Sequence, residues 1–191
     1  MYKRQIVSEL LNARGAKTIA IDSRNLLKTD KRYGSARIVN LESKLNVRSA
    51  FKDLTVNTTP ILTGFIASDL EGNTTTLGRN GSNYSASLFA KYLGAKEIES
   101  FTHVDGIFTA NPELVNDAKI IKELSYQEAN ELASFGTSIL HSKTIAPLVE
   151  DGISLRILNT FNPDAEGTLI TKRSKENRLK SISIQENVSV I

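Results

Sequence analysis

The chain has 191 residues, with no cysteine and only two histidines. The missing cysteines exclude disulfides and thiolate chemistry, and two histidines far apart in sequence do not form a metal-ligand cluster. We therefore expect no metal held by protein side chains alone. No apolar run approaches the roughly 20 residues needed to cross a bilayer, and the basic start is not followed by a signal-type apolar segment. These absences predict a cytoplasmic protein that does not contact a membrane.

Composition and charge are those of one globular domain with a small addition. The chain is 40% hydrophobic and 24% charged, with a formal net charge of +3, and these values lie in the ordinary range of soluble domains. Part of the positive charge lies in "TKRSKENRLK" at residues 171–180. Such a segment is typical either of a solvated linker or of a nucleic-acid contact. No aromatic residue is interleaved with these cations, so we favour the linker and expect no nucleic-acid partner.

Short apolar β-branched runs alternate with helical patterns along the chain, which is typical of an α/β protein with a mainly parallel sheet covered on both faces. Strands are predicted at residues 18–21, 61–67, 98–104 and 154–158, and helices at residues 41–54, 82–93, 126–135 and 139–150. Leu88, Phe89, Tyr92 and Leu93 form an apolar stripe on the second helix, which Gly94 is predicted to end.

The last two predicted helices are separated by a sharp break at Gly136, where a backbone can meet a ligand. His141 lies on the apolar pattern of the final helix. We interpret it as a packed, hydrogen-bonded core histidine rather than a catalyst.

A glycine-containing loop leads into an amphipathic helix in "TTTLGRNGSNYSASLFAKYLG", residues 74–94. Gly78 and Gly81 can adopt backbone conformations closed to other residues, and Ser82 and Asn83 are favourable at a helix start. The free amides of a helix N-terminus and the planar guanidinium of Arg79 suit a carboxylate or a phosphate. The pattern therefore predicts an anion site. An ordinary helix cap beside a surface arginine would fit the same spacing.

The same string resembles the "TLGRGGSD" or "TLGRNGSD" segment of aspartokinases, members of the amino-acid kinase family that phosphorylate the side-chain carboxylate of aspartate with ATP. Further matches follow in the family's order: "GFI" at residues 64–66, "VDGIFTANP" at 104–112, "LSYQEANELASFG" at 124–136 and "NTFNPDAEGTLI" at 159–170. The "NTFNP" segment is most similar to the class fused to homoserine dehydrogenase. The resemblance implies a three-layer α/β/α sandwich, of which this chain would be the C-terminal, nucleotide-binding lobe.

The resemblance also implies roles for individual residues. Arg79 would pair with a carboxylate of L-aspartate, and Gly81 and Ser82 would contact the reacting phosphate. Asn83 would stand at the catalytic centre. ATP, accompanied by Mg²⁺, would bind at matching positions that comprise Thr102, His103, Asp105, Gly106, Phe108, Thr109 and Ser138. Because an Asp-Gly pair is also an ordinary turn, Asp105 and Gly106 have a purely structural alternative.

Four residues depart from the family pattern. Asn83 and His103 stand where aspartate is common, Glu113 where arginine often follows the proline, and Ser138 where a lysine contacts nucleotide. Asparagine loses a charge, and a unit-charge pair at about 4 Å is worth a few kcal/mol near a surface. The last two changes remove cations, for which Lys119 or Lys143 would have to compensate. The departures motivate an alternative, a degenerate paralogue that binds nucleotide or amino acid and acts as a regulatory subunit.

By the same resemblance, residues 1–172 are the C-terminal part of an aspartokinase catalytic domain, and residues 173–191 are a linker and the first strand of an ACT-like regulatory domain. Residues 1–5 match no family pattern, and we interpret them as an artefact. The family's lysine-glycine-glycine segment and Gly-Glu pair have no counterpart here, so we expect the chain to be inactive alone. The complete protein would make 4-phospho-L-aspartate for lysine, threonine and methionine synthesis, as a homo-oligomer assembled through its regulatory domain.

A dinucleotide-binding dehydrogenase is a further class to weigh for an α/β chain with glycine-containing loops. No G-x-G-x-x-G run opens a helix directly after a strand, so the residues present do not favour it. A fused homoserine dehydrogenase would lie downstream of this chain.

Overall fold

The computed structural model describes residues 2–134, 141–174 and 181. They divide into two compact units, Met1–Leu93 and Gly94–Ile191. Each unit combines helices with short strands, and within the described residues four of the six strand pairings are parallel. The predicted α/β class with mainly parallel pairing is confirmed. Over the same residues, no helix is both long and apolar enough to cross a membrane.

The first unit alternates helices and strands. Its elements are α1 (Lys3–Ala13), β1 (Thr18–Ile21), α2 (Ser23–Leu26), β2 (Lys28–Thr29), α3 (Asn40–Lys52), β3 (Thr59–Leu62), β4 (Ile66–Asp69), β5 (Thr74–Thr76) and α4 (Gly81–Leu93). β1 pairs in parallel with β3. β4 lies between β2, its parallel neighbour, and β5, its antiparallel neighbour. The β4–β5 hairpin therefore leads the chain to the start of α4.

The core of the first unit forms where α2, α3 and α4 pack on this hairpin. Its buried residues are Leu26, Leu27, Val47, Ala67, Leu77, Leu88 and Tyr92, with Phe89 packed against them. The Tyr92 hydroxyl donates to Asn40 Oδ1 at 2.7 Å, and burial raises the Tyr92 pKa to about 12. Leu93, predicted to share the apolar stripe, is 40% exposed because it is the last residue of α4. Gly94 ends the helix with a φ of 66°, as predicted.

The prediction of one continuous strand at residues 61–67 is wrong, because the structure has two strands there with a break between them. β3 ends at Leu62 and β4 begins at Ile66. Between them Phe65 has a φ of 76°, a left-handed conformation that no β-strand contains. The Thr63 carbonyl instead accepts a 2.6 Å hydrogen bond from the Ser23 hydroxyl. The interruption moves the chain from the β1 sheet to the β2 sheet.

The second unit contains one four-stranded sheet in the described residues, with strand order β6-β8-β9-β7. Its elements are β6 (Glu97–Thr102), β7 (Glu123–Ser125), α5 (Tyr126–Ser134), α6 (Ser142–Asp151), β8 (Ser154–Asn159) and β9 (Thr168–Thr171). β6 pairs in parallel with β8, β7 pairs in parallel with β9, and β8 and β9 are antiparallel. Leu124, Leu155, Ile157 and Ile170 from the sheet are buried together with Leu148 of α6. In this unit α5 contacts β7 and β9, and α6 packs against α5.

The predicted long helices all have counterparts, whereas the 11-residue helix α1 and several short elements were not predicted. Sequence patterns did not indicate α1, α2, β2, β5, β7 or β9. The strand predicted at residues 98–104 is shorter in the structure, because β6 ends at Thr102 and residues 103 and 104 lie beyond it.

The interpretation of His141 as a core residue is wrong. His141 is the N-cap of α6, and its Nδ1 accepts from the Lys143 amide at 3.2 Å.

Several predictions fall outside the described residues. These are the break at Gly136, the position of Ser138 and almost all of the segment after residue 174. Residues 3–5, interpreted as an artefact, form the first turn of α1. Arg4 there makes a 2.9 Å ion pair with Asp22.

Candidate functional site

A cavity of about 550 Å³ opens at the start of α4. It is lined by Phe65, Gly78, Arg79, Asn80, Gly81, Ser82 and Asn83. The four residues predicted to bind or transform the substrate, Arg79, Gly81, Ser82 and Asn83, therefore line one cavity in the first unit. Their roles toward a ligand remain predictions.

The loop that enters α4 is shaped by two residues with positive φ. Gly78 has a φ of 75° and Asn80 a φ of 57°, a region that glycine and asparagine tolerate better than other residues. The Gly81 amide donates to the Gly78 carbonyl at 3.0 Å, and the Tyr84 amide donates to Asn80 at 3.0 Å. The helix therefore begins at Gly81. The sequence favoured Ser82 and Asn83 as the residues that start the helix. In the structure both lie inside its first turn, and neither is the N-cap.

Gly81 is required because the chain approaches it closely. A Cβ atom at this position would lie 2.8 Å from Cδ2 of Phe65 and 3.1 Å from Cβ of Leu77. Gly64 is equally close to the helix, since its Cβ would lie 2.8 Å from Cα of Ser82. Two residues of the strand interruption, Gly64 and Phe65, thus pack directly against the first turn of α4.

The electrostatics of the cavity favour an anion. In the described part of the chain, the exposed Arg79 makes no ion pair or hydrogen bond, and the first turn of α4 contains no acidic residue. The first amides of a helix have no intrahelical acceptor and carry a partial positive charge. A carboxylate or phosphate in this cavity would thus meet donors and a cation without a competing acid.

Six of the seven residues predicted to bind nucleotide lie in the second unit, at or after the carboxyl end of β6. Thr102 is the last residue of β6 and its carbonyl accepts from the Thr160 amide at 2.8 Å. The next residue, His103, is exposed, with its Nδ1 3.4 Å from the Thr102 hydroxyl. Ligands of open α/β sheets bind at the carboxyl ends of strands, so this loop is in a position suited to binding.

Asp105 is held by two asparagine side chains that follow β8. Its Oδ1 accepts from Nδ2 of Asn159 at 2.6 Å and from Nδ2 of Asn162 at 3.1 Å. The two amides fix the orientation of the carboxylate. Asp105 is therefore anchored within its own unit. An ordinary Asp-Gly turn would not need these two side-chain hydrogen bonds.

The rest of the loop is tied to the sheet. Gly106 has a φ of 148°, and a Cβ there would lie 2.6 Å from the Thr168 hydroxyl. That hydroxyl accepts from the Ile107 amide at 2.8 Å and donates to the Ile121 carbonyl at 2.7 Å. Phe108 pairs with Ile120, and Thr109 exchanges hydrogen bonds with Lys119. The predicted turn is thus followed by a short antiparallel pairing, which the sequence did not indicate.

Sequence analysis missed several residues that build these sites. Phe65 and Asn80 line the cavity, and Asn159 and Asn162 hold Asp105. Phe65 and both of the asparagines that hold Asp105 lie within recognised segments, "GFI" and "NTFNP", but were given no role. The Asn-Gly pair at residues 80 and 81 is a turn signal that could have identified Asn80. No pattern in the sequence indicates Thr168.

Ser138, the remaining predicted nucleotide contact, lies outside the described residues. Within the residues that are described, no group of three or more histidine, aspartate or glutamate side chains could hold a metal ion.

The fold and these two loops define an α/β protein with a cavity at a helix start whose lining suits an anion. The chain belongs to the amino acid kinase family, whose sequence model matches residues 3–159. Its relatives include an aspartokinase of Rickettsia felis, 40% identical over 147 residues, and a bifunctional aspartokinase/homoserine dehydrogenase of Haemophilus influenzae, 38% identical over 158 residues. The resemblance to aspartokinases is confirmed by these relatives.

A solved structure extends the similarity to the fold. The crystal structure of E. coli aspartokinase III in complex with aspartate and ADP matches 91% of the chain with a TM-score of 0.85 and 34% identity. The alignments cover 77% and 82% of this chain in the Rickettsia and Haemophilus comparisons. The chain spans 36% of the Rickettsia protein, 19% of the Haemophilus protein and 39% of the E. coli chain. It therefore corresponds to a part of each relative.

Proposed function

We propose that the protein containing this chain is an aspartate kinase. It transfers the terminal phosphoryl group of ATP to the side-chain carboxylate of L-aspartate and forms 4-phospho-L-aspartate. The observation that carries the proposal is the cavity at the start of α4, where an unpaired Arg79 and the first helical amides face an open space without acidic residues. The aspartate and ADP bound to E. coli aspartokinase III support the choice of ligands.

In this proposal, the cavity residues position charge and take part in no covalent step, as is general in phosphoryl transfer. The Arg79 guanidinium pairs with a carboxylate of aspartate through two parallel hydrogen bonds. Ser82 offers its amide and its hydroxyl to the reacting groups. The Gly81 amide already donates to the Gly78 carbonyl, so Gly81 contributes through its missing Cβ, which leaves room for the Phe65 ring. Asn83 occupies the catalytic position as a neutral donor and acceptor. It lacks the negative charge that an aspartate would place there beside the cations around the phosphate.

The second unit binds the nucleotide in this proposal. Its contacts are Thr102, His103, Asp105, Gly106, Phe108, Thr109 and Ser138. The rigid attachment of Asp105 to Asn159 and Asn162 supports a binding role, because a preoriented acceptor loses little entropy when it contacts ribose or base donors. Mg²⁺ enters with ATP and would neutralise charge on its phosphates.

The wider setting of the enzyme follows the same proposal. Residues 1–172 would belong to the catalytic domain, and residues 173–191 would lead into a regulatory domain through which the protein forms a homo-oligomer. Its product would enter lysine, threonine and methionine synthesis in the cytoplasm. Fusion to homoserine dehydrogenase, as in the Haemophilus relative, belongs to this proposal as well.

One observation favours the second candidate, a degenerate paralogue that binds aspartate or nucleotide without turnover. The cavity contains no carboxylate, because Asn83 stands where aspartokinases commonly have aspartate. Such a protein would regulate a partner enzyme.

The test is an assay of the complete gene product. ADP formation is measured with L-aspartate, ATP and Mg²⁺, and the acyl phosphate is trapped with hydroxylamine. We expect ADP and hydroxamate in equal amounts, with L-glutamate as the negative control. Binding of aspartate without turnover would favour the regulatory paralogue. Absence of both binding and turnover would contradict both functions.

A further inference from the structure

Ser85 is a buried serine of α4 that does not line the cavity. Its residue exposure is 1%, and it lies one helical turn beyond Gly81. We propose that Ser85 is a positioning residue that holds Phe65 in place as a wall of the ligand cavity. The inference rests on the proposed function where it concerns aspartate, whereas its structural part can be tested without any ligand.

The Ser85 hydroxyl joins two segments that are far apart in sequence. Its Oγ accepts from the Phe65 amide at 3.0 Å and donates to the Gly81 carbonyl at 2.8 Å. One hydroxyl therefore satisfies the Phe65 amide within the strand interruption and also contacts the first residue of α4. The bond to Gly81 is buried and the bond to the Phe65 amide is partly buried, and a buried donor or acceptor is costly to leave without a partner.

Phe65 needs such a restraint because its backbone is strained. A φ of 76° is unfavourable for a bulky residue and persists only where the surroundings impose it. The Phe65 carbonyl accepts from the Leu77 amide at 3.0 Å. Both polar backbone groups of Phe65 are thus bound by residues that flank the cavity loop, Leu77 on one side and Ser85 on the other.

The restraint determines the shape of the cavity. The Phe65 ring lies against Gly81, where no Cβ fits, and Phe65 lines the cavity while remaining 40% exposed. If the Phe65 backbone relaxed to a negative φ, the ring would turn away from Gly81 and the cavity would lose this wall. A short acidic amino acid would then lose an apolar surface for its carbon chain, although Arg79 would be unchanged.

Ser87 provides a matched control. It is a buried serine on the same helix, with 0% exposure, and its hydroxyl donates to the Asn83 carbonyl four residues earlier at 3.2 Å. Ser87→Ala therefore removes the same kind of hydroxyl from the same helix and leaves the Ser85 hydroxyl and its bond to the Phe65 amide in place.

The first experiment measures amide hydrogen exchange at Phe65 in the complete protein. We expect Ser85→Ala to raise the Phe65 exchange rate at least about tenfold relative to core amides of α4, and Ser87→Ala to leave it within about twofold. Ser85→Thr, which keeps the hydroxyl, should restore slow exchange. Unchanged exchange at Phe65 in Ser85→Ala would overturn the inference even if the protein does not bind aspartate.

The second experiment is a double-mutant cycle on aspartate affinity, measured by calorimetry. Ser85→Ala alone should weaken aspartate binding about fivefold or more and leave ADP binding unchanged. Once Phe65→Ala has removed the ring, adding Ser85→Ala should weaken binding by less than about twofold. Additive effects would show that Ser85 acts elsewhere and would overturn the inference. Failure of the unaltered protein to bind aspartate would instead contradict the proposed function.

Discussion

At the scale of single residues, the cavity at α4 depends on one cation and on glycines that permit close packing. Arg79 has no partner among the described residues, although the chain carries 21 acidic residues. An exposed arginine usually gains little from pairing with a surface acid. Its value lies in the geometry it can offer to a ligand, namely five donors in a rigid plane.

The first prediction concerns this guanidinium. Arg79→Ala should raise KM for aspartate about 10- to 100-fold, which corresponds to the loss of a charge-assisted hydrogen-bonded pair worth about 1.5–3 kcal/mol. Arg79→Lys should recover only part of the loss because a lysine ammonium keeps the charge but not the paired donors. Steady-state kinetics of the complete protein measure both.

Arg14→Ala is the control for this prediction, because Arg14 is an exposed arginine at the C-cap of α1 and does not line the cavity. It should leave KM unchanged. An Arg79→Ala variant with the KM of the unaltered protein would contradict the carboxylate contact.

The second prediction concerns Gly81. By helix propensity alone, alanine would be favoured over glycine by about 1 kcal/mol. The Phe65 ring and Leu77 occupy the space its Cβ needs, and overpacking of this kind costs about 1–3 kcal/mol. Gly81→Ala should therefore lower Tm and weaken aspartate binding.

Thermal unfolding and calorimetry measure the two effects of Gly81→Ala. Gly34→Ala is a suitable control, since no heavy atom lies within 4 Å of the added Cβ at Gly34. A rise in Tm for Gly81→Ala would show that helix propensity outweighs the clash and that Phe65 moves easily.

The residues that could be predicted from sequence are those whose chemistry is visible in their own type. Arg79 and Gly78 were found because charge and backbone freedom belong to the residue itself. Gly81 was found as well, although the structure requires it for its missing Cβ and not for a positive φ. Phe65 was not found, because nothing in an apolar residue between two strands indicates a positive φ. Asn159 and Asn162 were also missed, since their role depends on a carboxylate more than 50 residues away.

At the scale of elements, four of the five described helices of nine or more residues were predicted, and α1 was missed. The helices α3, α4, α5 and α6 have the periodicity of an amphipathic helix over several turns, and β1 and β8 are apolar β-branched runs. The strands β2, β5 and β7 have two or three residues each, which is too short for a periodic signal. They are strands because neighbouring strands supply their hydrogen bonds, and this information is absent from local sequence.

The third prediction concerns Asp22, which joins α1 to α2. Asp22 caps α2 by accepting from the Arg24 amide, and it also pairs with the side chains of Arg24 and Arg4. Mainly because of the Arg24 side-chain hydrogen bond, the Asp22 pKa is lowered from 3.8 to about 2. A lowered pKa means that the stabilisation is complete above pH 3.8 and is lost as the pH falls through about 2, since the unfolded state then binds the proton more readily.

The expected effect is a steeper loss of stability in acid for the unaltered protein than for Asp22→Asn. The pKa difference corresponds to at most about 2.5 kcal/mol, and solvent screening around the partly exposed Arg24 reduces it to about 1 kcal/mol. Urea unfolding at a series of pH values between 5 and 2 measures it. Asp53→Asn, at the exposed C-cap of α3, is the charge-matched control, and equal acid sensitivity of both variants would contradict the assignment.

At the scale of the whole molecule, the described residues form two units that each carry one of the predicted binding loops. The cavity at α4 belongs to the first unit and the loop after β6 belongs to the second. The α/β class was predictable because it depends only on the order of strands and helices. The division into two units was not predicted, because it depends on which segments pack against each other in three dimensions, and no local sequence pattern carries that information.

The last prediction is that residues 1–191 alone have no kinase activity. The chain spans 36% of the Rickettsia felis aspartokinase and 39% of the E. coli enzyme. The lysine-glycine-glycine segment and the Gly-Glu pair that the aspartokinase resemblance assigns to phosphate and aspartate binding have no counterpart in it. Phosphoryl transfer depends on positioning and charge from every side of the phosphate. Loss of one set of contacts is therefore expected to reduce turnover below detection, even where single ligands still bind.

A coupled ADP assay on the purified chain, with its folding checked by circular dichroism, measures this turnover beside the complete gene product. The Arg79→Ala form of the chain, purified identically, identifies activity from contaminating kinases, because that activity would not depend on Arg79. Aspartate-dependent ADP formation by the unaltered chain that disappears in Arg79→Ala would contradict the prediction. It would mean that the cavity at α4 and the loop after β6 are sufficient for transfer without the segments that aspartokinases place before them.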